Sequence, residues 1–152
     1  MLNNKILIFL FLLLTFSSCE YSPVYKNLDK TEIKIEVLEA KGDDLVNFFI
    51  NSKLKIYSKS KLDKIYKINI TTDFEKKDLS KDKTGKVTNY QLNLRTIFSI
   101  NLNEIQKNIV VEENFTMSNS DNAYNNKESE NVIKREFANN AVEKLISQLI
   151  FF

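Results

Sequence analysis

The chain has 152 residues, with 22 Lys+Arg against 20 Asp+Glu, 43% hydrophobic and 28% charged. That is one modest folded domain, too apolar for a disordered tail. It has no His, no Trp and a single Cys, which excludes Ser-His and Cys-His nucleophilic pairs, Cys/His zinc clusters and an internal disulfide.

Lys5 is the only charge before Glu20, and Ile6 to Phe16 is apolar but for Thr15. Such a run makes roughly 16 Å of helix at about 1.5 Å per residue, half of a bilayer core of roughly 30 Å, so it reads as an export signal and not as a spanning anchor. Phe16-Ser17-Ser18-Cys19 resembles a lipobox, the bacterial signal that is cut before a lipidated Cys. Residues 1–18 are then the signal peptide, Cys19 carries the acyl chains, and residues 19–30 form a tether that holds the only Pro. Several acyl chains give durable anchoring where one is marginal. The alternative for Cys19 is a free thiol just past an ordinary secretory signal. Inner-membrane lipoproteins of this kind have Asp after the Cys, so Glu20 resembles the outer-membrane pattern. Losing Lys5 with the signal brings the net charge close to zero, and nucleic-acid binding by a strong positive field is not expected.

From Glu32 to Leu38, Ile33, Ile35 and Val37 alternate with charged residues, the period of a half-buried strand. Gly42-Asp43-Asp44 reads as turn and helix cap. Leu45, Phe48, Phe49 and Ser52 then recur at helical spacing, flanked by Val46 and Ile50, and predict a helix to about Tyr57. Two long alternations follow, over 66–75 and 88–102, with even positions apolar and odd positions polar; each predicts a strand with one face on a core. Lys76 to Lys86 between them suits a long hairpin connection. A fourth strand is predicted at Ile109 to Met117, with Glu113 breaking its pattern. Ser118 to Asn126 reads as a polar loop with Asn126 as N-cap. The closing helix has an apolar stripe of Ile133, Phe137, Ala138, Ala141, Leu145, Leu149 and Phe152, opposite Lys134, Arg135, Asn139, Glu143 and Lys144. The order predicts a single α+β domain over 31–152: a two-layer sandwich with two helices on one face of a four-stranded, largely antiparallel sheet, β-α-β-β-β-α.

Catalytic chemistry finds little footing. Asp43-Asp44 reads as a cap, Glu112-Glu113 as neighbours on opposite strand faces, and two glycines cannot build a nucleotide-phosphate loop. No enzyme, catalytic residue, metal or cofactor is expected. Lys76, Lys77, Lys81, Lys83 and Lys86 crowd the hairpin, either as a solvated loop or as point charges for phosphorylated sugar or lipid head groups. The polar face of the third strand, with Asn89, Gln91, Asn93 and Arg95, is rich in amides; it suits either plain solvent or a polar, hydrogen-bonding wall. Phe48, Phe49, Phe74, Phe98, Phe115 and Phe137 read as core.

Cys19 followed by Tyr21-Ser22-Pro23-Val24-Tyr25, and then this order of elements, resembles the LPS-assembly lipoprotein family (LptE). Tyr21, Pro23 and Tyr25 match its aromatic-x-Pro-x-Tyr segment, while Glu20 stands where Gly is usual. The closing helix, with Phe137-Ala138, Ala141, Leu145 and Leu149 after a loop bearing Tyr124, is also similar. The resemblance implies a lipid-anchored protein on the periplasmic side of the outer membrane, lodged as a plug in the β-barrel LptD and taking part in lipopolysaccharide delivery to the outer leaflet. An amide-rich sheet face fits the hydrophilic interior of a large barrel, and the lysines would meet anionic lipid A. The rival reading is a free-standing lipoprotein acting as scaffold or envelope-lipid carrier. A carrier needs a cavity between sheet and helices, a plug a filled core; large apolar even positions favour the filled core.

Overall fold

The computed structural model describes residues 33–59, 65–102 and 105–150. The expected signal peptide (1–18), the tether (19–30) with Cys19, and Phe152 lie outside these residues. Strand β1 (Lys34–Lys41) leads to helix α1 (Asp44–Leu54) and a 3-10 turn (Tyr57–Lys59); β2 (Ile65–Lys81), β3 (Val87–Leu102) and β4 (Ile105–Ser118) follow, and helix α2 (Ala123–Ile150) closes the chain. The sheet order is β1-β2-β3-β4. β1 is parallel to β2 because α1 carries the chain back across the face, while β2, β3 and β4 are antiparallel neighbours. This is the expected α+β sandwich.

The period of two decides which side chains are inside. Tyr66, Ile68, Ile70 and Thr72 of β2 and Leu92, Leu94, Thr96, Phe98 and Ile100 of β3 are buried on one face, and the register sets Ile68 against Ile100 and Ile70 against Phe98. Ile109, Val111 and Met117 continue the layer on β4. Onto it pack Val46, Ile50 and Leu54 of α1 and Phe137, Ala141, Val142, Leu145 and Leu149 of α2. Fully burying one such side chain contributes about 1.5–3 kcal/mol, so these rows fix the layer spacing.

Several boundaries differ from the expected ones. The connection at 76–86 is mostly strand: β2 continues to Lys81 and β3 begins at Val87, with bulges near Ser80. Only 82–86 turns, because Asp82 Oδ1 accepts from Thr84 N (2.8 Å), Thr84 Oγ1 (2.6 Å) and Lys86 N (3.0 Å), and Gly85 takes a φ of 85°, the pattern of a three-residue loop closed by a glycine bulge. β4 starts at Ile105, earlier than the apolar run suggests. Helix α1 is rotated from the predicted face: Phe48 is 62% exposed, Leu45 and Phe49 are half-buried, and Asn47 is buried instead. Of the aromatic stripe, only Phe98 and Phe137 are fully in the core; Phe49, Phe74 and Phe115 are half-buried. Helix α2 begins before Asn126: Asn122 Oδ1 accepts from Tyr124 N (2.9 Å) as the cap, and Asn126 reaches back to the loop. Lys134, expected on the polar side, is 5% exposed.

Gly42 joins β1 to α1 with a φ of 104°, and a Cβ there would overlap the carbonyl oxygen of Thr72. Gly85, with φ of 85°, has open space around it. Gly42→Ala is therefore expected to cost about 3 kcal/mol or more, through both strain and overlap, and Gly85→Ala about 1–2 kcal/mol through strain alone. Urea denaturation of the two variants checks the difference; equal losses would mean that the crossover relaxes around the added methyl.

Candidate functional site

The β2–β3 hairpin, with the side chains around its base, gathers most of the candidate residues, although the five lysines do not form one patch. By register Lys76 lies opposite Leu92 on the helix-facing side, whereas Lys77 lies opposite Gln91 on the other. Lys76 Nζ bonds Glu130 of α2 (3.2 Å) and sits 4.3 Å from the Tyr90 ring centre. Lys77 pairs with Glu75 (2.8 Å) and Lys81 with Asp78 (3.2 Å). Lys86 pairs with Asp121, whose carboxylate raises the Lys86 ammonium pKa. Lys83, at the turn, is exposed and has no ion pair among the described residues.

The tip is tied down by amides. Ser80 and Thr88 share a hydroxyl–hydroxyl bond (2.7 Å), and Asn89 Nδ2 donates to Ser80 Oγ (2.8 Å). Asn119 Nδ2 donates to the Val87 carbonyl (2.7 Å), and Asn126 Nδ2 donates to Asn119 Oδ1 (2.8 Å). The Asn-rich loop before α2 thus locks the start of the helix to the hairpin.

At the hairpin base lies a charge cluster that sequence reasoning missed. Lys134 Nζ is 2.7 Å from Asp43 Oδ2 and 3.3 Å from Glu130 Oε1, and it lies 3.6 Å from the Phe74 ring centre. One ammonium therefore joins the N-cap of α1, the first half of α2 and the face of β2. Its spacing was the available signal, since Lys134 stands three and four residues before Phe137 and Ala138, on the inward stripe and not opposite it. Asp43 also caps α1 by accepting from Val46 N (2.9 Å) and Leu45 N (3.1 Å). Burial works to raise the Asp43 carboxyl pKa, but the Lys134 hydrogen bond, the two backbone amides and the Lys134 charge outweigh it, so the group is held below its ordinary range.

The outer face of the sheet, made by the odd positions of β2 and β3 and the even positions of β4, is half-buried or exposed throughout. Its rows read Lys77-Gln91-Thr116, Glu75-Asn93-Asn114, Asp73-Arg95-Glu112 and Asn69-Ser99-Asn108. Arg95 Nε bonds Glu112 (2.7 Å), and Asn93 Nδ2 donates to Glu75 (3.2 Å). Bonds from Lys77 and then Asn93 hold the Glu75 carboxyl below its usual range. Asn89, Gln91, Asn93 and Arg95 therefore share one continuous amide-rich surface, as their alternation predicted. A separate groove of about 500 Å³ lies between β1 and the end of α1, lined by Ile35, Val37, Leu54, Asn51, Lys34 and Lys55 among others.

No protein-family model matches the chain, and no curated protein matches it in sequence. Its fold is similar to that of solved bacterial proteins. The crystal structure of rare lipoprotein B from Shewanella oneidensis superposes with a TM-score of 0.55 at 17% identity, covering 76% of this chain and 96% of that one. Lipoprotein B from Nitrosomonas europaea gives 0.51 at 14% identity, covering 78% and 84%, and a minor lipoprotein from Acinetobacter baumannii gives 0.50 at 15%, covering 76% and 93%.

A carboxyl depressed by folding contributes stability above its unfolded pKa of about 3.9, and that contribution is lost as pH falls through the lower folded value. Asp43→Asn keeps a cap but not the charge, so its loss of stability below about pH 4 is expected to be shallower than that of the parent. Asp43→Ala removes the cap and one of the two anions facing a buried ammonium, an expected cost of about 2–4 kcal/mol at neutral pH. Denaturation midpoints across that pH range check both; an acid slope unchanged in Asp43→Asn would mean the pair adds no net stability.

Proposed function

We propose that this protein is a bacterial envelope lipoprotein of the LPS-assembly kind, anchored through acyl chains on Cys19. In this reading the domain plugs the β-barrel LptD at the outer membrane and takes part in lipopolysaccharide delivery to the outer leaflet. The observation that carries it is the two-sided sheet. One face is sealed on a filled apolar core, and the other is a broad surface of amides and charges, several of which pair with one another. Such a surface can exchange water for the polar lining of a barrel lumen at little cost where its ions are paired, as Arg95 is with Glu112 and Lys77 with Glu75, while the exposed Lys67 and Asp73, without an ion pair among the described residues, are left to bond the lining itself. The likeness in fold to solved bacterial lipoproteins supports the envelope assignment. The role is one of binding and not catalysis.

Lys83 and its neighbours at the turn are the charges available to a lipid A phosphate, whereas Lys76 is engaged with Glu130 and Tyr90. The rival reading, a free-standing scaffold or envelope-lipid carrier, has the groove beside β1 in its favour, whose volume of about 500 Å³ suits one small amphiphile and not a filled barrel contact.

A C-terminally tagged chain, solubilised from its host membranes, is expected to bring down a large outer-membrane barrel in equal amount, identified by mass; recovery alone or with soluble partners would favour the carrier. Replacing Lys81, Lys83 and Lys86 by Glu is expected to weaken lipopolysaccharide binding about ten-fold or more, charge-assisted contacts being worth about 1.5–3 kcal/mol each. Lys83→Glu should account for most of the loss per charge, with circular dichroism unchanged. Undiminished binding by the triple variant would remove the tip from the site.

A further inference from the structure

The two edges of the sheet are built differently. β1 carries a bulge between Val37 and Glu39 and the charges Lys34, Glu36, Glu39 and Lys41, with Glu39 and Lys41 paired at 3.0 Å. Bulges and edge charges discourage the addition of a further strand. β4, at the opposite edge, runs 14 residues with no shift of register against β3, and no described strand pairs with its outer side. Its middle, Ile109-Val110-Val111, is uncharged, and Val110 is 40% exposed on the open face. Half-buried Ile97 is its partner on β3. A long, regular edge of free N–H and C=O groups is a template for strand addition.

We propose that β4 pairs antiparallel with β4 of a second copy about a two-fold axis at Val110, so that two four-stranded sheets continue as one. The sequence of the edge selects this register. Centred on Val110, Lys107 faces Glu113 on both sides of the axis, Ile109 faces Val111, Asn108 faces Glu112 and Gln106 faces Asn114. Val110 meets its own copy, which covers the exposed methyls. Centring on Ile109 sets Lys107 against Val111, centring on Val111 sets Val110 against Glu112, and centring on Glu112 opposes that carboxylate to itself. Opposite charges across a strand pair stabilise it and like charges destabilise it. Glu113 is half-buried, and among the described residues its hydrogen-bond donor is an amide, Asn140 Nδ2 at 3.3 Å; the facing ammonium supplies the countercharge. Lys107 keeps a contact within its own protomer as well. The dimer is a state of the chain outside any barrel, because a lumen that encloses one domain leaves no room for a second sheet at the β4 edge.

The full chain in detergent carries the test, with the parent, whose sole cysteine is Cys19, as the blank. Val110→Cys is expected to form a disulfide-linked dimer on mild oxidation, because directly opposed residues bring Cα atoms to about 4.5–5.5 Å. Asn114→Cys should not, since its two copies would lie about 27 Å apart. Mixing Gln106→Cys with Asn114→Cys should give the mixed dimer. By micelle-corrected sedimentation, Lys107→Glu should weaken the dimer about ten-fold, and Lys107→Glu with Glu113→Lys should restore it, which separates loss of pairing from loss of folding. Equal cross-linking at positions 110 and 114, a monomer mass for the parent, or cross-linking of Val110→Cys to another protein instead of its own copy would overturn the proposal.

Discussion

A single ammonium group, that of Lys134, holds three elements together where the sandwich meets its projecting hairpin. It is nearly removed from water, and an isolated charge there would cost several kcal/mol. The cost is met by Asp43 at 2.7 Å, Glu130 at 3.3 Å and the face of Phe74. Each of these partners is already committed elsewhere: Asp43 caps α1, Glu130 also binds Lys76, and Phe74 belongs to β2. Moving any one of the three elements would therefore strand a charge. Removing both partners in favour of apolar side chains need not weaken the fold, so the cluster is read best as a device for position more than for net stability.

That anchoring lets the hairpin extend beyond the core. Up to Thr72 the strands lie under apolar helix side chains; past it, Lys76 to Lys81 are mostly exposed, and shape is kept by hydrogen bonds instead. Asp82 closes the turn, Asn119 and Asn126 clasp the tip to α2, and Lys86 pairs with Asp121. Exposed pairs of this kind contribute little each, yet together they hold Lys83 at a defined place. A charge presented on a fixed support loses less entropy on binding an anion than one on a loose loop.

The strands were the most legible part of the chain. Alternation over 66–75 and 88–102 gave the correct face for every buried residue of β2 and β3, because side chains on a strand can point only two ways. Element order and the amide-rich outer face followed from the same rule. Helices were harder: with apolar residues at 45, 46, 48, 49 and 50 of α1, several rotations satisfy the pattern. The fold chose one that brings Asn47 to the Thr72 hydroxyl (3.2 Å) and leaves Phe48 outside. The extent of β2 was hidden because Lys, Asp and Ser in 76–81 have low strand propensity, which pairing with β3 overrides.

Residue order and composition were enough to settle the class of fold, the buried face of each long strand, the cap at Asp43 and the exclusion of Ser-His and Cys-His nucleophilic pairs. Which charges become partners was settled only by packing in three dimensions. Asp43, Lys76 and the pair Glu130 and Lys134 lie far apart in the chain, and nothing in their local spacing says that α2 runs beside β2 closely enough to join them. Local periodicity reports what one element does to its own neighbours. Long-range ion pairs, helix rotation and the difference between the two sheet edges depend on where separate elements come to rest against one another.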